Sequence, residues 1–386
     1  MAAPASYDVA SVTAPDATGK GKEEISYKSW TEVVDDHPLS NLAAQLPDIL
    51  GEAGHNEMYG VELHTPKDGQ QSPHTTLIIL QKFLRANAGD ATKARTQLLD
   101  ALKWRKEYNP LSVRDEIFPK EKFGGLGYIT SIKRAKQPVA KVDVAVFNVY
   151  GAAAKDPAKA FGDTDEFVKW RVALMERTLE ALQLNKADQP IPDYQQGTDQ
   201  YQALQIHDYE SVSFFRQPAE IKAASSKIIE MFQKYYPETV SFKYFVNVPL
   251  VMQWMMGAMK ALMSSDSIQK MTWMSNGKDL HTYLGSDIPK EYGGTCPSLE
   301  GSARTVKFDD GSEGANSGIA VVAPTATDEA PEKDVTPIAT EPELVKESKT
   351  EATTTAKDSI TMPIATNAPA PEIKKSGPTS KAAEIA

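Results

Sequence analysis

Cysteine occurs once, at Cys296, so the chain has no internal disulfide and no cysteine-built zinc site, and it suits a reducing compartment. No uninterrupted apolar stretch reaches bilayer length, and Met1 to Ser26 has no apolar run of the kind a secretory signal carries. A soluble, intracellular protein is expected. A basic balance is missing as well: the formal net charge is -10, which argues against nucleic acid as a partner. Half of that excess falls in residues 301–386, where fourteen acidic residues face nine basic ones. Nucleotide-cradling patterns are absent, because Gly124-Gly125-Leu126-Gly127 lacks the strand before it and the helix after it that phosphate binding needs. There is no Gly-x-Ser-x-Gly elbow, no His-Glu-x-x-His and no calcium loop, so hydrolase chemistry has no motif behind it.

With hydrophobic residues at 41%, the chain can bury a sizeable core, but they are unevenly spread. Residues 301–386 hold one aromatic, Phe308, among Ala, Thr, Pro, Glu, Lys and Ser, and read as a disordered tail. Residues 1–26 read as a flexible leader, with order expected from about Trp30. Leu39, Leu42, Leu46 and Leu50 recur at helical spacing, and Pro47 is expected to bend or break that segment. Leu77, Leu80, Phe83 and Leu84 mark the apolar face of a helix, and Asp90 is placed to N-cap a second one running to about Tyr108.

Beyond Pro110 the period changes. Residues 128–133 and 139–150 alternate as strands, and a long helix follows over about 164–183. After a polar loop over 185–200, a strand at 202–210, a helix at 218–235, a strand at 243–248 and a helix at 250–263 alternate in turn. That alternation predicts an α/β fold, a sheet covered by helices. On the strand at 202–210, His207 and Tyr209 share a face with Gln205, opposite Leu204, Ile206 and Asp208. Hydrogen bonding at a sheet surface accounts for such a pair as well as ligand binding does. Arg171, Lys243 and Tyr150 likewise have ordinary readings, as paired surface cations and a strand end. The helix at 250–263 carries Met252, Met255, Met256, Met259 and Met263 around Trp254, a face that suits either a core or a lid meeting lipid.

Four stretches in order, Tyr236-Pro237-Glu238, Asn247-Val248-Pro249, the Met-rich helix and Pro289-Lys290-Glu291-Tyr292-Gly293-Gly294, resemble the CRAL-TRIO lipid-transfer family. Phe83-Leu84-Arg85-Ala86-Asn87 followed by Leu102-Lys103-Trp104-Arg105 looks like the helical module that precedes such domains. The resemblance implies a leader over 1–26, an N-terminal helical module over 27–110, a CRAL-TRIO lipid-binding domain over 111–300 with a mobile gating helix, and a disordered tail over 301–386. Ile206-His207-Asp208-Tyr209, with Trp170-Arg171-Val172-Ala173-Leu174-Met175-Glu176, is similar to a fungal branch of the family whose members transfer phosphatidylinositol and also bind haem.

That likeness implies a non-enzymatic protein holding phosphatidylinositol and ferric haem b. Tyr209 would be the axial iron ligand, with Tyr150, Arg171, His207 and Lys243 around the haem. Arg171 or Lys243 would lower the Tyr209 pKa or pair with the haem propionates. Glu238 and Lys270 match the family's lipid-headgroup positions. A role in phosphoinositide homeostasis and the oxidant response is implied too, with transient contact between a cytoplasmic protein and endoplasmic-reticulum or microsomal membranes. The competing readings are a haem enzyme of peroxidase or catalase type and an interaction scaffold with an empty pocket.

Overall fold

A computed structural model describes residues 36–65, 72–134, 141–154, 156–212, 219–249 and 270–314. The expected leader, the start of order at Trp30, the Met-rich helix over 250–263 and the tail beyond 314 lie outside the described residues. The leucine row forms two helices, α1 (Pro38–Ala44) and α2 (Leu46–Ala53), and Leu39, Leu42 and Leu46 are fully buried. The break falls at Gln45 rather than at Pro47, which sits in the first turn of α2 where a missing N–H costs nothing. A short hairpin, β1 (Glu57–Met58) and β2 (Val61–Glu62), leads to the helix pair α3 (His74–Ala86) and α4 (Ala91–Tyr108). Asp90 caps α4 as its position predicts, its Oδ1 accepting from the Thr92 and Lys93 amides at 3.0 Å each.

From Pro110 the chain forms α5 (Pro110–Arg114), β3 (Ile117–Phe118) and α6 (Lys120–Phe123), and then enters a five-stranded sheet. Its strands are β4 (Gly127–Arg134), β5 (Lys141–Val149), β6 (Ala203–Asp208), β7 (Val240–Val246) and β8 (Met271–Trp273), in that spatial order. The first pair is antiparallel and the rest are parallel. Between β5 and β6 run α7 (Tyr150–Ala154), α8 (Pro157–Phe161) and α9 (Thr164–Leu182), and α10 (Ala219–Tyr235) joins β6 to β7. Parallel neighbours joined in sequence order, with crossovers of one hand, place α9 and α10 on the same face. At Gly127 α9 packs closely on the sheet, since a Cβ there would lie 2.5 Å from the Leu174 side chain.

Strand alternation sorts β6 between two layers. Leu204 and Ile206 join Phe147, Tyr244, Val246 and Tyr292 in the layer built from the segment after β8, while Ala203 packs in the core that α9 and α10 share with the helical module. That module is held to the sheet by buried charge pairs. The Lys82 ammonium, wholly buried, lies 2.5 Å from Asp199 and donates to the carbonyls of Tyr201 and Glu238. Arg105 forks onto Glu57 and Glu176, and the Tyr236 hydroxyl donates to Glu176 at 2.6 Å.

The expected tail boundary at 301 is corrected by the structure, because the chain stays folded to Gly314. Arg304 exchanges both backbone hydrogen bonds with Ile129 on the outer edge of β4, Thr305 donates to the Gly127 carbonyl, and β9 (Lys307–Phe308) runs parallel to β3. An open sheet edge is a liability that a returning segment removes. Val306 and Phe308 bury fully enough to hold the segment there, two apolar residues that average out in the composition of the long polar stretch. A chain ended after Thr305 should therefore be less stable than one ended after Gly314 by about 3 kcal/mol, from the lost burial of Val306 and Phe308. Urea denaturation of the two truncations measures that difference, and equal midpoints would contradict it.

Candidate functional site

Where β5, β6 and β7 end, the face crossed by α9 gathers polar side chains among flat rings. Parallel register sets Asn148 beside His207 and Gln205 beside Lys243. Tyr150 opens α7 directly after β5, and its hydroxyl lies 2.7 Å from His207 Nδ1. His207 Nε2 lies 3.3 Å from Gln205 Oε1. With Nε2 donating to that amide oxygen, Nδ1 is left to accept from the Tyr150 hydroxyl. Tyr209 is 2% exposed, its ring 5.2 Å from that of Tyr150. Phe245 stacks against His207 on one side and Trp273 on the other, at 5.1 and 5.6 Å between centroids. The structure thus brings together four of the residues expected at a haem site, Tyr150, His207, Tyr209 and Lys243, on or beside one strand face.

Arg171 reaches the same face from α9. It is 3% exposed; its Nη1 donates to Asn148 Oδ1 at 2.5 Å, its Nε has no hydrogen-bond partner, and its charge lies over the Trp170 and Phe232 rings. Lys243 is 7% exposed, and burial brings its pKa down from 10.5 to about 8. Burial lowers the Arg171 pKa also, and only Tyr150 opposes it. Among the described residues neither cation is paired with a carboxylate. Asp208, which lies between His207 and Tyr209 in sequence, turns to the opposite layer, where Asn247, Tyr292 and the Glu210 amide bind it. Burial, then Lys243, then Arg171 hold the His207 pKa well below 6.5, so its imidazole is neutral. Burial, then Tyr150, hold the Tyr209 phenol well above 10. The expectation that Arg171 or Lys243 lowers the Tyr209 pKa is corrected here: the guanidinium acts on Tyr150 instead, where burial outweighs it.

Glu238 stands apart from this cluster, and Lys270 meets it through a backbone hydrogen bond to Lys243. Glu238 precedes β7, at the end of that strand remote from Tyr209, in a left-handed conformation at φ 52°. Its carboxylate accepts from Arg85 Nε at 3.1 Å and from Gln202 Nε2 at 3.0 Å, so it serves the clasp between helical module and sheet. Lys270 is half-buried at the start of β8, and its carbonyl accepts from the Lys243 amide. The sequence reading missed Asn148, Phe245 and Trp273. A buried amide within the apolar run of β5 was the one signal available for Asn148. Phe245 and Trp273 belong to a wall that only the pairing of β6, β7 and β8 assembles.

The depressed Lys243 pKa has a consequence for stability. The folded protein binds fewer protons than the unfolded chain between about 8 and 10.5, so this group's cost to stability is full below pH 8 and falls as pH rises through that window. Ligand-free Lys243→Met should lose that part of the rise, a difference readable in urea midpoints at pH 7 and pH 9.5. Parallel pH profiles for the two proteins would show that the ammonium is not desolvated.

The CRAL/TRIO domain family matches residues 123–294, and the CRAL/TRIO N-terminal domain family matches residues 38–100. A phosphatidylinositol transfer protein SFH5 of Phaeosphaeria nodorum is 45% identical over 281 residues, which span 73% of this chain and 83% of that one. A phosphatidylinositol transfer protein sfh5 of Sclerotinia sclerotiorum is 44% identical, over 76% of this chain and 69% of its own. The crystal structure of Sfh5 superposes with a TM-score of 0.55 at 29% identity, covering 68% of this chain and 88% of that one. The helical module, the sheet with its two layers and these likenesses place the chain in the CRAL-TRIO family.

Proposed function

We propose that this protein carries phosphatidylinositol between membranes and also binds ferric haem b, with the buried face between β6, β7 and α9 as the ligand-binding site. The carrying observation is the 45% identity, over 73% of this chain, to a relative named a phosphatidylinositol transfer protein, beside the matches of both CRAL/TRIO families. A carrier must reach membrane surfaces transiently, so the proposal extends to a cytoplasmic protein that visits the endoplasmic reticulum and serves phosphoinositide homeostasis and the oxidant response.

The residues present fit haem on three observations. Tyr209 supplies a hard oxygen donor, and tyrosine is an established haem ligand. Arg171 and Lys243 are buried cations without carboxylates among the described residues, and the Arg171 Nε is orphaned, which suits propionates or a phosphate. The stacked rings of His207, Phe245 and Trp273 form a flat wall. Ferric haem, when bound, supplies a Lewis-acidic and redox-active iron. In this chain burial, then Tyr150, favours the protonated Tyr209 phenol, so a cationic centre at its oxygen would be what stabilises the phenolate. His207 keeps Tyr150 oriented through its Nδ1 and anchors to Gln205 through its Nε2. Both ring nitrogens are engaged and the ring is neutral, which supports a carrier rather than an acid-base catalyst. For the headgroup, Lys270, whose backbone adjoins Lys243, would supply a cation for the phosphate, whereas Glu238 would have to exchange Arg85 for an inositol hydroxyl.

Two measurements test the proposal. Purified protein should move labelled phosphatidylinositol between vesicles, and absence of transfer would overturn the lipid part. With adequate haem supply the protein should purify coloured, and Tyr209→Phe should lose most of its haem while His207→Ala loses less, since the phenylalanine deletes only the oxygen donor. An unchanged visible spectrum in Tyr209→Phe would move the iron ligand elsewhere.

A further inference from the structure

Asn148 is fully buried near the end of β5, and both ends of its amide are engaged. Its Nδ2 donates to the Ile206 carbonyl at 3.3 Å, and that bond fixes which end of the amide is which, because a carbonyl can only accept. Oδ1 is thereby turned to α9, where it accepts from Arg171 Nη1 at 2.5 Å. The guanidinium is held by a neutral oxygen. Elsewhere in the described residues the fully buried cations have carboxylates, Asp199 for Lys82 and Glu176 for Arg105. A buried cation without a counter-charge is costly to fold, and a carboxylate at position 148, nearly the same shape as the amide, would neutralise it, but at the expense of its own desolvation and of the bond to the Ile206 carbonyl.

We infer that Asn148 is a positioning residue that sets the proposed site's preference for an anionic oxygen, carboxylate or phosphate, by aiming the Arg171 guanidinium while leaving its charge unneutralised. The inference rests on the proposed ligand site and adds a specificity determinant to it. The arrangement gives direction as well as charge. Nη1 is tied to Asn148 and the guanidinium carbon lies within 5.7 Å of the Trp170 and Phe232 ring centres, which restrains the fork, and the orphaned Nε is a donor left for a ligand oxygen.

Substitutions at 148 separate this role from a structural one. Asn148→Asp gains an ion pair with Arg171 and loses the bond to the Ile206 carbonyl, while Asn148→Ala loses both bonds and leaves the guanidinium unsupported. Stability should therefore order as wild type, then Asp, then Ala. Affinity for an anionic ligand should order as wild type, then Ala, then Asp, because only the aspartate neutralises the charge. The loss in Asn148→Asp is expected at ~10- to 100-fold, the range of a hydrogen bond to a charged group. A merely structural residue would give affinities that follow stability.

The experiment measures thermal unfolding of the three proteins, ferric haem binding by absorbance, and uptake of phosphatidylinositol from phosphatidylcholine vesicles. A loss confined to the haem arm identifies the partner of Arg171 as a carboxylate, and one confined to the vesicle arm identifies it as a phosphate; either sustains the inference. Wild-type affinity in folded Asn148→Asp, or weaker binding by Asn148→Ala than by Asn148→Asp, overturns it while leaving the proposed function intact. Wild type that takes up neither probe overturns both. If Asn148→Asp does not fold, Asn148→Ala decides alone through its preference for ferric haem over the haem dimethyl ester, which lacks the carboxylate charges. A preference reduced by at least ~threefold sustains the inference, since charge-assisted bonds depend on aim as well as charge. An unchanged preference overturns it.

Discussion

Two positive charges on one face of the sheet, with no carboxylate beside them among the described residues, set the terms for the rest of this molecule. Arg171 and Lys243 are as deeply buried as ordinary core residues. Desolvating a cation costs several kcal/mol unless something negative meets it. Among the described residues the two most deeply buried cations meet that cost with acids: Lys82 faces Asp199, and Arg105 faces Glu57 and Glu176. Those pairs join helical module to sheet and give the site a fixed frame. That contrast is what supports the proposed ligand role for Arg171 and Lys243.

The geometry of the sheet explains why the site sits where it does. Parallel strands in sequence order put α9 and α10 on one face and the segment after β8 on the other, so alternation along β6 sends Asp208 away from the cations and His207 and Tyr209 toward them. Separating Asp208 from Arg171 and Lys243 takes nothing more than the period of two. The same alternation places Asn148 on β5 and Phe245 on β7 against His207. The neutral imidazole follows, because burial and two nearby cations all act against its protonation.

Much of this was legible in the residues. The helix pair with its Asp90 cap, the long helix α9, the strands β4 to β7 and the shared face of His207 and Tyr209 all follow from period and capping. Tyr150, Arg171 and Lys243 could be named from the family likeness, but their convergence could not, because residues so far apart in sequence meet only through strand order and register. Two misreadings have clear physical causes. The tail boundary was set by average composition, which cannot register that Val306 and Phe308 have a sheet edge to close. The tyrosine pKa was argued from the presence of cations, whereas the outcome depends on which phenol the guanidinium faces and on burial, which dominates for Tyr209. Glu238 shows a third limit: a motif residue matched to a headgroup also has a partner in Arg85, and the partner lies far away in sequence.

The central claim is that Arg171 and Lys243 are kept for an anionic ligand rather than for the fold. Native mass spectrometry of the protein as isolated, set beside an Arg171→Gln, Lys243→Gln double variant, tests it most directly. The account predicts that wild type retains an anionic amphiphile of defined mass, and that the double variant emerges folded and without it. A double variant that carries the same ligand at the same occupancy would contradict the account.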